Sequence, residues 1–255
     1  MQLHCDTSCG DQYKSLPQKA RVISEAWFVS NGYCLACQND KLQATAANTK
    51  ATDFTCGACG HNYELKTFKT RPKRSLVDGA YGTMMARIMD GTVPTLLMLE
   101  RNNDWTIAGL TAVHHTFLTP NVIAQRKALS QSARRAGWIG CNIRLDQIPA
   151  DAHIAVIGNG RSNKSALVRE AFQRYERLGA IEPKSRGWTT LTLLVIRSLG
   201  RNSFTLGDIY ERQDQFAAAY PDNRNILPKI RQQLQILRDL RYLEFIGKGE
   251  YHLLI

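Results

Sequence analysis

Asp53-Phe-Thr-Cys-Gly-Ala-Cys-Gly-His-Asn-Tyr-Glu-Leu-Lys66 is the stretch that decides the fold of this chain. It places a cysteine pair, Cys56-x-x-Cys59, between an aspartate and the triplet Glu64-Leu65-Lys66. A second pair, Cys34-x-x-Cys37, stands upstream, with eighteen residues between the two. That is the spacing of a four-thiolate zinc site. Four sulfur ligands leave no open position, so such a Zn²⁺ is structural rather than catalytic. Its binding adds on the order of 10 kcal/mol to a hairpin with little core of its own. His61 lies close enough to replace a thiolate, but four cysteines make this unnecessary. Cys5, Cys9 and Cys141 read as incidental.

The acids and the lysine carry a second meaning. Cleaving a phosphodiester needs a divalent ion, a source of hydroxide and a cation near the developing charge. Asp53 and Glu64 offer hard carboxylate oxygens to Mg²⁺, and the Leu65 carbonyl stands ready as one more ligand. Side chains in a strand repeat direction every two residues, so Glu64 and Lys66 share a face. The Lys66 ammonium then stands beside the metal and stabilises the phosphate as charge builds. Taken alone, an aspartate followed by a Glu-x-Lys triplet is also what an ordinary surface strand with a salt bridge carries. The zinc spacing and the cations after it, Lys69, Arg71, Lys73 and Arg74, set this instance apart.

The bulk composition is consistent with an intracellular globular protein. The 255 residues fit a domain of average size plus a small one, and 44% hydrophobic content supplies a core. The start, MQLHCDTSCGDQYK, has no hydrophobic signal region, and no apolar run reaches membrane-spanning length. Seven cysteines, four of them in CxxC pairs, are a metal pattern of a reducing compartment. A cytoplasmic location and no membrane partner are expected. The net charge of +11 fits a nucleic-acid partner, an anionic membrane surface or simply a basic proteome. The lack of a basic amphipathic helix with a rich apolar face makes the membrane reading the weaker one.

Along the chain, Tyr13–Val29 reads as a helix from the spacing of Ala20, Ile23, Ala26 and Trp27. Leu42–Thr52 reads as a connection, and Asn62–Lys66 as a strand. Asp78–Met89 reads as a helix closed by Gly91. Pro94–Leu99, Trp105–Val113 and His153–Ile157 read as buried strands. Ile123–Asn142 is a long polar loop, Ser162–Leu178 a cationic helix and Gly179–Arg186 a linker. Beyond it the pattern is helical over Thr189–Leu199, with Trp188 a core anchor. Phe204–Tyr210 is a turn feeding a second helix capped by Thr205, and Asn225–Leu240 a third with Pro228 in its first turn. A hairpin around Gly247-Lys-Gly249 follows. Three helices and a β-wing are the order of a winged helix-turn-helix. In the third helix, Ile226, Ile230, Leu234, Leu237 and Leu240 form the core stripe. Lys229, Arg231, Gln232, Gln235 and Arg238 form the outer face, fit for base edges and phosphate or simply solvated. Lys248 on the wing favours DNA.

Several blocks resemble the DpnI family of restriction endonucleases: Tyr33-Cys34…Cys37, Asp53-Phe54…Cys56-x-x-Cys59, Glu64-Leu-Lys66, Asp78-Gly-Ala-Tyr81 with Met84-Met85, Ala133-Arg-Arg-Ala-Gly-Trp-Ile-Gly-Cys-Asn142, Ser185-Arg-Gly-Trp188 and Arg231-Gln-Gln-Leu-Gln-Ile-Leu-Arg-Asp239. The resemblance implies an α/β PD-(D/E)xK nuclease domain with a structural zinc site (1–181), followed by a C-terminal winged helix-turn-helix domain (182–255). It implies catalytic Asp53, Glu64 and Lys66, zinc ligands Cys34, Cys37, Cys56 and Cys59, and Mg²⁺-dependent cutting of double-stranded GATC only where its adenine carries an N6-methyl group. Thr52 stands where the motif's name has proline. Burying one methyl group contributes only about 0.8 kcal/mol, so both domains are expected to read the site. The nuclease domain would do so through Arg134, Arg135 and Trp138, the winged helix through its third helix. A monomer is expected. The competing expectations are a zinc-containing methyl-DNA reader or transcription regulator without catalysis, and a related nuclease with a different target sequence.

Overall fold

Apolar strands buried on both faces form the core of the first domain. The computed structural model describes residues 1–46 and 52–255. Its elements, in chain order, are α1 (Leu16–Asn31), β1 (Gln43–Ala44), β2 (Phe54–Thr55), β3 (Asn62–Phe68), β4 (Ser75–Ala80), α2 (Tyr81–Met89), β5 (Thr95–Arg101) and β6 (Ile107–Val113). There follow β7 (Ile123–Gln125), β8 (Gly140–Arg144), β9 (His153–Gly158), β10 (Arg161–Ser162) and α3 (Ser165–Gln173). The C-terminal elements are α4 (Pro183–Ser198), β11 (Ser203–Thr205), α5 (Leu206–Tyr210), α6 (Gln213–Ala219), α7 (Ile226–Asp239), β12 (Leu243–Gly247) and β13 (Glu250–Leu253).

Among the described residues a seven-stranded mixed sheet runs in the order β1-β2-β3-β5-β6-β9-β10, with β3 and β5 parallel. Its centre is apolar on both faces, which makes β5 read as a continuous hydrophobic run. Leu97 and Leu99 pack with Trp27 and Phe28 of α1 and with Val168 and Phe172 of α3. Leu96 and Met98 point the other way, to Met84 and Ile88 of α2 and to Leu76 and Ile143. Each such burial contributes about 1.5–3 kcal/mol. A second sheet, β4-β8-β7, covers that face.

Helix α1 starts later than the periodicity indicates, with Pro17 in its first turn, where the missing N–H costs nothing. It stops at Gly32, where an added Cβ would lie 2.5 Å from the Phe28 carbonyl oxygen. Four other expectations need correction. Asp78, Gly79 and Ala80 belong to β4, not to a helix: Asp78 pairs with Cys141, and a bulge at Gly79 precedes the turn into α2. The polar stretch 123–142 is a closed hairpin at the end of β7–β8, with Leu129 and Trp138 joined by backbone. The cationic helix ends at Gln173 and continues as a 3₁₀ turn over Glu176–Ala180. The supposed linker is nearly absent, because Pro183 already opens α4 and Arg186 is buried. Of the connection Leu42–Thr52, Gln43–Ala44 forms the edge strand β1, and residues 47–51 lie outside the described residues.

The C-terminal domain follows the expected order, with α6 and the strand β11 added. Thr205 closes a reciprocal capping box with Asp208. Ile230, Leu234 and Leu237 are fully buried, while Ile226 and Leu240 are only partly so. Gln233 joins the buried face by accepting a 2.7 Å hydrogen bond from Thr189. Trp188 is a core residue, stacked on Tyr220 with ring centroids 4.0 Å apart. The two domains share one apolar cluster, and the Tyr242 hydroxyl donates to the Arg174 carbonyl across their junction. No helix among the described residues is long and apolar enough to cross a membrane.

Histidines at the back of the main sheet make stability sensitive to acid. His114 is fully buried, and burial holds it, His115 and His153 below the ordinary histidine range, His115 at about 2. Unfolding returns them to about 6.5, so below that pH the unfolded chain takes up protons that the native state refuses. The contribution of these histidines to stability is therefore flat above pH ~6.5 and declines below it, by up to about 1.4 kcal/mol per pH unit for each. The urea midpoint should fall between pH 7 and pH 5.5, and His115→Asn should reduce that slope. Equal slopes in the two proteins would contradict this account.

Candidate active site and zinc knuckle

The hairpin β2–β3 carries both halves of the opening motif. Its turn holds Cys56 and Cys59, and Cys34 and Cys37 approach from the segment after α1. The four Sγ atoms lie within 4.8 Å of one another. Cys34–Cys59 and Cys37–Cys56 are each 3.6 Å apart. A tetrahedron with Zn–S bonds of 2.3 Å has edges of about 3.8 Å, so the donor set fits zinc. The Asn39 side-chain amide donates to Cys56 Sγ at 3.3 Å, whereas burial pushes the Cys34 and Cys59 thiols up. Against burial, which would raise it, hydrogen bonds from Asn39 and from the Cys59 and Ala58 backbone bring the Cys56 thiol down to about 6. The Tyr63 hydroxyl lies 3.2 Å from Cys34 Sγ and accepts from the Leu35 N–H. His61 is not part of this set: its Nε2 meets Thr95 Oγ1 at 2.8 Å, and its ring packs on Phe172.

A buried arginine from far along the chain locks the first knuckle. Arg169 of α3 donates to the carbonyl oxygens of Cys34 and Asn39, to Gln38 Oε1 and to Asp40 Oδ1. No motif marks it; only its place on a helix face that the fold turns inward makes it a support.

One strand further in, the acidic set converges. Asp53 lies just before β2, and its Oδ2 accepts from the Leu65 N–H at 2.8 Å. The carboxylate is thus tied to the strand that carries Glu64 and Lys66. Glu64 Oε1 lies 2.5 Å from Lys66 Nζ. Burial raises the Glu64 pKa, as do Asp78 and Asp53, while Lys66 opposes them. Although burial would lower it, Lys66 is held above the ordinary lysine range by Glu64 and Asp78. Asp53, Glu64, Leu65 and Lys66 line a cavity of about 370 Å³ together with Arg21 and Glu25 of α1. The Glu25 carboxyl is raised by burial, with Asp53 adding to it and Arg21 opposing. Thr52, the residue before Asp53, accepts a hydrogen bond from Arg87.

Two residues here escape sequence reading. Glu25 is one acid on an amphipathic helix, and only the packing of α1 brings it to the cavity. The sequence pattern places Asp78 at the start of a helix, but its Oδ1 lies 2.6 Å from Lys66 Nζ. The burial pattern of β4, with Leu76 and Asp78 inward, was a signal in principle. A buried acid is an unusual occupant of that pattern.

The DNA-contact candidates fall into three groups. Arg135 stacks 4.7 Å over the Trp138 ring, and both line a cavity of about 550 Å³ with Glu64, Asp78, Ala80, Thr83 and Met84. Arg134 is exposed on the same hairpin. On α7 the expected single face is two faces. Arg231, Gln235 and Arg238 line a cleft with Phe245 and Tyr251 of the wing. Lys229 and Gln232 bond to each other, and Lys229 lies on the Trp188 side. Lys248 is exposed in the wing turn.

These features define a two-part protein, an α/β sheet domain with a four-cysteine cluster joined to a helix-turn-helix domain. The chain belongs to the Dam-replacing (DpnI) family. The family model matches residues 1–180, and the model of the Dam-replacing HTH domain matches 184–253.

Purified protein should carry one zinc ion per chain by elemental analysis. Cys56→Ser should release it and lower Tm by roughly 10 °C or more. Full stability in a zinc-free sample would refute a structural role.

Proposed function

We propose that this protein is a methyl-directed restriction endonuclease, which hydrolyses both strands of DNA at GATC sites carrying N6-methyladenine. The observation that carries the reading is the constellation on one strand: Glu64 and Lys66 in contact on one face of β3, with Asp53 fastened to the Leu65 N–H between them. Family membership supports the same class. Residues 1–181 form the catalytic unit, of the PD-(D/E)xK type, and residues 182–255 the DNA-binding unit.

Asp53 and Glu64 would hold Mg²⁺, with the Leu65 carbonyl as a further ligand, and the cavity they share is lined by carboxylate oxygens, the donors this ion takes. When bound, the ion polarises the phosphate and lowers the pKa of water. The chain's own part begins with Asp53, whose hydrogen bond from Leu65 fixes the direction of one carboxylate. Lys66 keeps its proton and places a positive charge where the phosphate becomes more negative. The zinc cluster closes the hairpin that holds both acids, so it sets their spacing without entering the chemistry.

DNA is read by both domains. Arg134, Arg135 and Trp138 of the hairpin between β7 and β8 contact the site from the catalytic unit. Lys229, Arg231, Gln232, Gln235 and Arg238 of α7 and Lys248 of the wing do so from the other unit. Glutamine pairs with an adenine edge, arginine with guanine or phosphate. The partly exposed Trp138 ring offers an apolar surface to a methyl group. The protein acts as a monomer.

One plasmid, prepared from adenine-methylating and non-methylating hosts and incubated with Mg²⁺, tests the reading. Only the methylated preparation should be cut. Equal cutting of both would remove methyl direction, and cutting of neither would favour a non-catalytic methyl-DNA reader. Lys66→Ala should lower the cleavage rate by on the order of 10²-fold or more while leaving DNA binding within about twofold. A K66A protein that cuts like wild type would overturn the catalytic assignment.

A further inference from the structure

Lys66 Nζ touches two carboxylates, Glu64 Oε1 at 2.5 Å and Asp78 Oδ1 at 2.6 Å. The two are not equivalent. Glu64 lines both the cavity that Asp53 and Lys66 share and the one bordered by Arg135 and Trp138, whereas Asp78 lines only the second. Asp78 comes from another sheet, and its side chain is only 2% exposed. Its backbone is held on both sides of the residue. Val77 and Asp78 pair with Asn142 and Cys141, and the Tyr81 N–H donates to the Ile139 carbonyl. The bulge after Asp78 sits where bulges commonly re-aim a side chain beside a site.

On the reading proposed above, Glu64 has two claims on it, the lysine and the divalent ion. A carboxylate drawn to a hard cation contributes less to a neighbouring ammonium. Lys66 has four methylenes of freedom, and an ammonium released from Glu64 would be free to swing away. Asp78 is the partner that makes no such choice.

We propose that Asp78 is the positioning residue of the catalytic lysine: it anchors the Lys66 ammonium from the second sheet when Glu64 is engaged by the metal. It touches neither metal nor DNA and acts only through Lys66. The strand pair that holds it also carries the hairpin of Arg135 and Trp138, so the anchor and that hairpin share one backbone frame.

The test compares wild type, Asp78→Asn, Lys66→Met and the double variant on a methylated GATC duplex. Single-turnover cleavage is measured in Mg²⁺ and DNA affinity in Ca²⁺, with Tm and zinc content as checks of fold. Asp78→Asn should cut on the order of 10- to 100-fold more slowly with affinity unchanged, the pattern of an interaction made in the transition state. Lys66→Met should cut more slowly still. Adding Asp78→Asn to it should change the residual rate by less than about twofold, because a residue acting through a missing lysine has nothing left to lose. Where Asp78→Asn lowers Tm, Asp78→Glu keeps the charge and should recover a large part of the lost rate. The proposal is overturned by Asp78→Asn cutting like wild type, by a parallel loss of DNA affinity, by a full further loss in the Lys66→Met background, or by Asp78→Glu recovering nothing at restored Tm. Wild-type protein that fails to cut would instead dispose of the nuclease reading, before Asp78 is reached.

Discussion

The pleat of β3 assigns opposite duties to alternate residues, and the rest of the first domain is arranged around it. Tyr63 and Leu65 point into the core beneath α1, where Tyr63 also meets the first cysteine knuckle. Glu64 and Lys66 point to the opposite face. A slip of one residue would bury the charges in the apolar layer and expose the tyrosine. The register is held at several points. β5 pairs with the strand from Tyr63 to Phe68, the four-cysteine cluster closes one end, and Asp53 grips the Leu65 N–H.

Holding two acids and a lysine in a buried position is costly unless the charges neutralise one another. Lys66 does this for Glu64 and Asp78 together, which draws the second sheet into the site. That sheet would otherwise be a cover for the apolar face formed by Leu96 and Met98. One ion-paired cluster thus links the hairpin of the four-cysteine cluster, the parallel pair β3–β5 and the hairpin bearing Arg135 and Trp138.

The C-terminal domain is attached firmly rather than strung on a linker. Its helix α4 begins at Pro183, almost directly after the 3₁₀ turn that ends at Ala180. The shared apolar cluster and the bond from Tyr242 to Arg174 set its orientation. Helix α7 and the cavity lined by Asp53 and Glu64 therefore belong to one packed body.

The sequence by itself determined what depends on local pattern. The CxxC spacing, the Glu-x-Lys triplet, the strand alternation and the Thr205 cap are all short-range, and periodicity or ligand geometry makes them readable. Tertiary structure alone decided what depends on partners distant in the chain. Asp78 looks like a helix start until β8 pairs with it, and Glu25 is one acid among many until α1 packs over the cavity. Arg169 is an ordinary helical cation until it is buried against the first knuckle. The polar run from Ile123 to Asn142 has no apolar pattern of its own; it closes as a hairpin through its own β7–β8 pairing, and β4 extends that pair into a sheet. Such contacts join segments far apart along the chain. No local preference encodes them, and they form only when the whole core closes.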